Sequence, residues 1–244
     1  MAAIRLAVVG ASGRMGEAVL RLARASTEFE VVCEISEGND FSAIERAKPH
    51  VAVDFSRPSG TRVLADIASR ASIALVIGTT GLDAASDHAL GEAAKKAPVL
   101  VASNMSIGVH VLGVLAERAA KMLEDFDIEI VEAHHKRKID APSGTALTLA
   151  QIVREARTPS ASIVHGREGH VGARKPNEIG MHAVRGGDVV GDHTVFFFGE
   201  GERIELSHKA SNRDLFARGA LRAAKWVVTK SPGIYGMRDM LGGA

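Results

Sequence analysis

The 244-residue sequence holds a single cysteine, Cys33. One thiol closes no intramolecular disulfide and builds no zinc site from thiolates. In the segment EVVCEI it reads as a small hydrophobe of a strand. An excess of one charge is also lacking: 30 Lys and Arg stand against 29 Asp and Glu, a net of +1. There is no overall basic surplus to draw the chain to nucleic acid or to an anionic membrane. No stretch approaches the ~20 apolar residues of a membrane-spanning helix. The apolar run at 6–11 is broken by Gly10 and is too short for a secretory signal. Internal repeats and low-complexity linkers are absent, and a cytoplasmic location is expected.

What is present is a repeating pattern. Residues 4–9 form a continuous apolar run, as in a strand covered on both faces. A glycine turn follows, then helical spacing of Val19, Leu20, Leu22 and Ala23. Further strands are expected over 30–35, 50–56, 73–80 and 99–104, with helices over 61–70 and 84–96. Strands alternating with helices make βαβ units, and right-handed crossovers wind them into a parallel sheet. After a long helix over 106–123 the character changes. A strand over 127–135 and a helix over 143–157 precede three segments, 179–185, 191–199 and 202–210. These show period-two alternation and tight glycine turns, as antiparallel or mixed strands do. Residues 214–229 are helical again, with Leu215, Phe216, Ala220, Ala223, Ala224 and Val227 as the apolar stripe. The expected fold is α/β: a Rossmann-type doubly wound parallel sheet over 1–105 and 214–244, plus a smaller α+β domain with a mixed sheet over 106–213.

Between the first strand and the first helix stands Gly10-Ala11-Ser12-Gly13-Arg14-Met15-Gly16. Glycines there permit a tight turn and close approach of a pyrophosphate to backbone N–H groups at a helix start. The pattern alone is weak, and its strand–turn–helix context makes it strong. Glu34 closes the second strand, where an acid accepts hydrogen bonds from the adenosine ribose. Ile35 follows it, so no arginine stands there to meet a 2′-phosphate, which favours NADH over NADPH modestly, with Arg14 or another basic residue as an alternative phosphate partner. Gly78-Thr79-Thr80-Gly81 ends a later strand of the same sheet, where the nicotinamide half of a dinucleotide lies. A plain Gly-rich turn is the bland alternative for both loops.

The densest chemistry is EAHHKRKIDAPSGTA, from Glu132 to Ala146. It ends a strand with two histidines, crosses a basic loop and starts a helix at Ser143-Gly144-Thr145. Ser143 and Thr145 are helix-capping types, and the free N–H groups of the helix start, with Lys138, suit a carboxylate-bearing small molecule. Adjacent strand residues face opposite sides, so His134 and His135 are poor joint ligands of one ion, and no metal is expected. Proton transfer is the better use of a histidine, because it titrates near neutral pH. Lys136 and Arg137 read as a solvated basic turn.

With these residues in place the chain resembles the dihydrodipicolinate reductase family, also called 4-hydroxy-tetrahydrodipicolinate reductase. EAHHKRKIDAPSGTA carries the likeness, and GASGRMG, VDFSRPSG, VIGTTG and ASNMSIGV fall in family order. The resemblance spans nearly the whole chain. It implies NADH- or NADPH-dependent reduction of a cyclic imine dicarboxylate in diaminopimelate and lysine biosynthesis. It implies His134 as acid/base and Lys138 as the second catalytic residue, with His135, Gly144 and Thr145 holding the substrate carboxylates. Gly10, Ala11, Ser12, Gly13, Arg14, Met15, Glu34, Arg57, Gly78, Thr79, Thr80, Ser103, Asn104 and Met105 are implied to hold the dinucleotide. A homotetramer, assembled through the second domain, is implied as well. Three features depart from the family pattern: a short stretch between Glu34 and Val51, Met105 where an aromatic residue is common, and the lack of an arginine after Glu34. The rival readings are another Rossmann-type amino-acid or semialdehyde dehydrogenase, which has no need of HHxxK followed by SGT, and a non-catalytic dinucleotide sensor, which has no use for His134 and Lys138.

Overall fold

The computed structural model describes residues 2–157 and 161–242. The outermost residues of the two segments expected to form the dinucleotide-binding domain, 1 and 243–244, lie outside them. In chain order the elements are β1 (Ile4–Val9), α1 (Arg14–Arg24), β2 (Phe29–Ile35), α2 (Ser42–Ala47), β3 (Val51–Asp54), α3 (Pro58–Ala71), β4 (Ala74–Ile77), α4 (Ala84–Ala94) and β5 (Pro98–Val101). Then come α5 (Ile107–Met122), β6 (Asp127–His134), α6 (Gly144–Ala156), β7 (Ser162–His165), β8 (Glu178–Arg185), β9 (Gly191–Gly199), β10 (Glu202–Ala210), α7 (Asp214–Val227), β11 (Gly233–Tyr235) and α8 (Met237–Met240). The chain divides into two compact units, one up to residue 107 together with 214 onward, the other 108–213.

The first unit is built on a six-stranded sheet in the order β11-β5-β4-β3-β1-β2, parallel throughout. Its central strands are apolar on both faces because both are covered. Leu6, Val8, Val53, Val76 and Leu100 face α1 and α7, meeting Val19, Ala220 and Ala224. Ala7, Val9, Ala52, Leu75 and Ile77 face α3 and α4, meeting Leu64, Ala68 and Leu90. Strand order reverses between β1 and β3, which opens a crevice at their carboxyl ends. Asp54, fully buried at the end of β3, organises that crevice. Its carboxylate accepts from the Ser56 N–H at 2.9 Å and from the Thr61 hydroxyl, and so ties the turn after β3 to α3.

The second unit is a five-stranded mixed sheet, β10-β9-β6-β8-β7, in which β6, β8 and β7 run parallel, β9 pairs antiparallel with β6, and β10 antiparallel with β9. Ile128, Ile130, Ile179, Met181, Val195 and Phe197 form its inner face, against Leu112 and Ala116 of α5 and Leu149 and Val153 of α6. The opposite face carries Glu129, which accepts hydrogen bonds from Arg167 and Arg174 and pairs with His182. These contacts anchor the segment between β7 and β8 to the sheet, and they hold the Glu129 carboxyl down at about 2 against the opposing effect of its burial.

Four short elements, α2, β7, β11 and α8, are not among those expected from periodicity. Each is three to six residues long, below the length at which a period shows. Replacing Asp54 with Ala removes a buried acceptor and is expected to lower the unfolding free energy by about 1–3 kcal/mol. Urea midpoints at constant m check this, and an unchanged midpoint would remove Asp54 from its organising role.

Candidate active site

At the strand-order reversal the first unit holds a cavity of about 410 Å³, walled by Gly10 and Gly13, by Ser36, Glu37 and Gly38, and by Phe55, Ser56 and Arg57. Gly10 has φ +80°, and a Cβ on it would lie 2.5 Å from the Phe55 carbonyl oxygen. A Cβ on Gly16 would lie 2.1 Å from the Gly10 oxygen. Glycine alone allows α1 to start so close to β1. The Gly10 and Ala11 amides donate to the Ile35 carbonyl at 2.8 and 2.9 Å, and the Gly13 amide donates to Gly10 at 3.0 Å. What remains for an anion is the Ser12 amide and the first amides of α1, from Arg14 and Met15, at the positive end of the helix.

The acid lining this cavity is Glu37, held by Arg57 at 2.9 Å. Glu34 is bound to Arg24 and does not line it. Ile35 is 2% exposed and belongs to the core. The expectation that a basic residue at position 35 would meet a 2′-phosphate is therefore corrected, because strand alternation turns that side chain inward. Ile35 and Ser36 both line the cavity, and Ser36 is the less buried of the two. At the end of β4, Gly78 and Thr79 are buried and Thr80 is exposed, and the Thr79 hydroxyl accepts from the Ser56 N–H at 3.1 Å. After β5, Ser103 is exposed and Asn104 accepts from the Ser106 N–H at 2.8 Å. Met105 packs its side chain into the core at 1% exposure, which leaves a ligand only its backbone.

In the second unit, β6 continues its inward face from Ile128 and Ile130 to Glu132 and His134. Glu132 is fully buried, and both its oxygens are engaged. Oε2 lies 2.6 Å from His134 Nδ1 and accepts from Arg185 at 2.8 Å. Oε1 accepts from Arg185 at 2.7 Å and from the Ser143 N–H at 3.0 Å. Burial raises the Glu132 pKa, but the hydrogen bonds from Arg185, His134 and Ser143 outweigh it and the carboxyl is held below its ordinary value. His193 on β9 lies opposite Glu132; its Nε2 is 3.0 Å from the Ser143 hydroxyl, and its ring meets that of His134 edge-on at 5.2 Å. Ser143 caps α6, its hydroxyl accepting from the Ala146 N–H at 3.2 Å.

The neighbouring loop completes the cluster. Lys138 is bidentate to Asp140 at 2.8 Å, and Arg185 donates to the Asp140 carbonyl at 2.8 Å. Gly144 and Thr145 form the first turn of α6. His135 meets Arg213 at 3.4 Å; desolvation first, then the positive charge of Arg137 and Arg213, lowers its pKa. Beside the loop a cavity of about 440 Å³ is lined by Ala141, Pro142, His165 and His182. The structure thus brings His134, Lys138, Gly144 and Thr145 into one strand-end, loop and helix-start assembly. It adds three residues the sequence reading passed over: Glu132, Arg185 and His193. The i, i+2 spacing of Glu132 and His134 on a strand was a usable signal for the first. Arg185 and His193 arrive by strand pairing and carry no local signal.

Burial, with the positive charge of His134, depresses His193 from 6.5 to about 4. The unfolded chain therefore binds this proton more tightly. The stability involved is fully present above pH 6.5 and is lost as pH falls toward 4, by up to roughly 3 kcal/mol. Urea midpoints across that range are expected to slope in the native chain and to flatten in His193→Gln; equal slopes would show that His193 is not the titrating group.

The two family models for dihydrodipicolinate reductase, N-terminus and C-terminus, match residues 4–105 and 108–241. The 4-hydroxy-tetrahydrodipicolinate reductase of Thiobacillus denitrificans is 46% identical over a 263-residue alignment covering 98% of both chains. That of Myxococcus xanthus is 43% identical, again over 98% of each. Among solved structures, the dipicolinate-bound dihydrodipicolinate reductase of Paenisporosarcina sp. TG-14 superposes with a TM-score of 0.82 at 26% identity, covering 97% of this chain and 99% of that one. A DAP dehydrogenase of C. glutamicum, at 14% identity and a TM-score of 0.60 over 100% of this chain and 97% of its own, shares the fold. Both units and the segment that builds the histidine cluster fall inside these matches, and the chain belongs to the dihydrodipicolinate reductase family.

Proposed function

We propose that the chain reduces 4-hydroxy-tetrahydrodipicolinate to tetrahydrodipicolinate with NADH or NADPH, in diaminopimelate and lysine biosynthesis. The observation that carries this reading is the buried Glu132–His134 pair beside the capped start of α6 and Lys138. A dehydrogenase of another substrate class, or a dinucleotide sensor, has no need of that assembly.

The close approach of α1 to β1 and the crevice behind it fit a dinucleotide. The Ser12 amide and the start of α1 would hold its pyrophosphate, and Ser36, Glu37 and Arg57 its adenosine end, with Glu34 behind them on β2. Gly78, Thr79, Thr80 and the turn from Ser103 to Met105 would border the nicotinamide half. When bound, the reduced nicotinamide supplies the hydride. The chain's own residues do the rest. Gly144, Thr145 and His135, with the positive end of α6, bind the substrate carboxylates. Loss of the 4-hydroxyl as water leaves a conjugated cyclic imine, and hydride addition to it gives an enamine-like anion on the substrate. His134 holds the proton that quenches it, worth ~10²–10⁴-fold in rate, and Lys138 stabilises the developing negative charge.

Glu37 on the cavity wall, where its carboxylate accepts from ribose hydroxyls and opposes a 2′-phosphate, supports a modest preference for NADH. The outer face of the second sheet supports a homotetramer. There Phe198, 38% exposed, stacks on Phe196 at 5.6 Å, an exposed apolar pair suited to contact with a second copy. A cytoplasmic location agrees with the described helices, none of which is long and apolar enough to cross a membrane.

The test is NADH oxidation with substrate generated in place from aspartate semialdehyde and pyruvate by the preceding synthase. Oxidation that requires the synthase is expected, and its absence from a protein that binds NADH would overturn the reading. His134→Gln is expected to lose about 10²-fold or more in kcat with NADH binding intact. Ser36→Arg is expected to raise the NADPH-to-NADH ratio of kcat/KM, and an unchanged ratio would move cofactor choice away from this wall.

A further inference from the structure

The geometry at the end of β6 points to two positioning residues. We infer that Glu132 holds His134 with its proton on Nδ1, and that Gly191 keeps Nε2 clear, so that Nε2 is the atom through which His134 exchanges its proton with substrate. This rests on the reductase reading above for its chemistry but on contacts alone for its geometry.

Glu132 is fully buried, and each oxygen accepts from Arg185, Oε1 also from the Ser143 amide. A carboxylate so engaged has no proton to give, so the 2.6 Å contact with His134 needs the hydrogen to be on Nδ1. The neutral ring then carries its lone pair on Nε2, and the charged ring offers its second proton there. No other polarity of this contact satisfies both partners.

The ring's other end is shaped by β9. Ala133 pairs with Asp192 and Glu132 with His193, so position 191 falls opposite His134 on the same face. A Cβ there would lie 3.0 Å from Nε2 and 3.4 Å from Cδ2. Gly191 is not in a positive-φ conformation, so the backbone does not require glycine; the histidine edge does. His134 keeps 11% of its side chain exposed.

Two measurements test this. In ¹⁵N NMR of ring-labelled full-length protein, neutral His134 is expected as the Nδ1–H tautomer, and as a tautomer mixture in Glu132→Gln. A native ring protonated on Nε2 would overturn the inference whatever the activity. In the coupled assay, Glu132→Gln is expected to lose about 10²-fold or more in kcat with KM and NADH binding little changed, and Glu132→Asp to recover part of it. Gly191→Ala, which leaves the buried carboxylate intact, is expected to lose about tenfold or more in kcat with NADH binding unchanged. Native kcat in folded Gly191→Ala would overturn the clearance role. An inactive native chain with the Nδ1–H tautomer would instead count against the reductase reading and leave the geometry standing.

Discussion

A charged carboxylate removed from water has to find its compensation in the fold, and the second unit is arranged around one that does. Glu132 draws in a guanidinium from β8, an imidazole from its own strand and a backbone amide at the head of α6. Removing any one donor strands the rest in a dry setting, at a cost of several kcal/mol for a broken buried ion pair. That constraint fixes where β6 ends relative to β8, where α6 begins, and which way His134 faces. The same strand face that buries Ile128 and Ile130 therefore turns into a chemical site within four residues, with no change of secondary structure.

The first unit solves a different problem by absence of atoms. At Gly10 and Gly16 the backbone passes so near its neighbours that a methyl group has no room. The gain is a helix start brought against the strand ends, with the turn's own amides consumed internally and a few left over for an anion. Asp54 then props the next strand end, so the crevice has a shape before any ligand arrives. One unit relies on a buried charge and the other on missing side chains. Both give preorganised polar groups at strand ends, which is what lets binding energy go into catalysis rather than into ordering the site.

Histidine chemistry here depends on context rather than residue type. His134 pairs with a carboxylate, His193 is desolvated and neutral down to about pH 4, and His135 stands among cations. A neutral His193 packed edge-on against His134 adds no charge to the cluster at physiological pH, so Glu132 and Arg185 set its local field.

Much of this was legible in the sequence. Continuous apolar runs between helical periods dictate a parallel sheet covered on both sides, since no other arrangement buries them. Glycines at 10, 13 and 16, between a strand and a helix, point to an anion-binding turn, and the segment from Glu132 to Ala146 carries the family resemblance that implies the chemistry. Local pattern could not say which side chains meet. Glu34 stood at the expected strand end, yet its carboxylate went to Arg24 and the cavity wall was left to Glu37. Ile35 turned inward because a strand alternates, and Met105 went into the core. Arg185 and His193 lie more than fifty residues along the chain from Glu132, and only the register of β6 with β8 and β9 brings them together. Local sequence determines periodicity and turn chemistry because those depend on neighbours along the chain. Tertiary structure alone decides the partners of a buried charge, because its compensation comes from whichever strands the sheet places beside it.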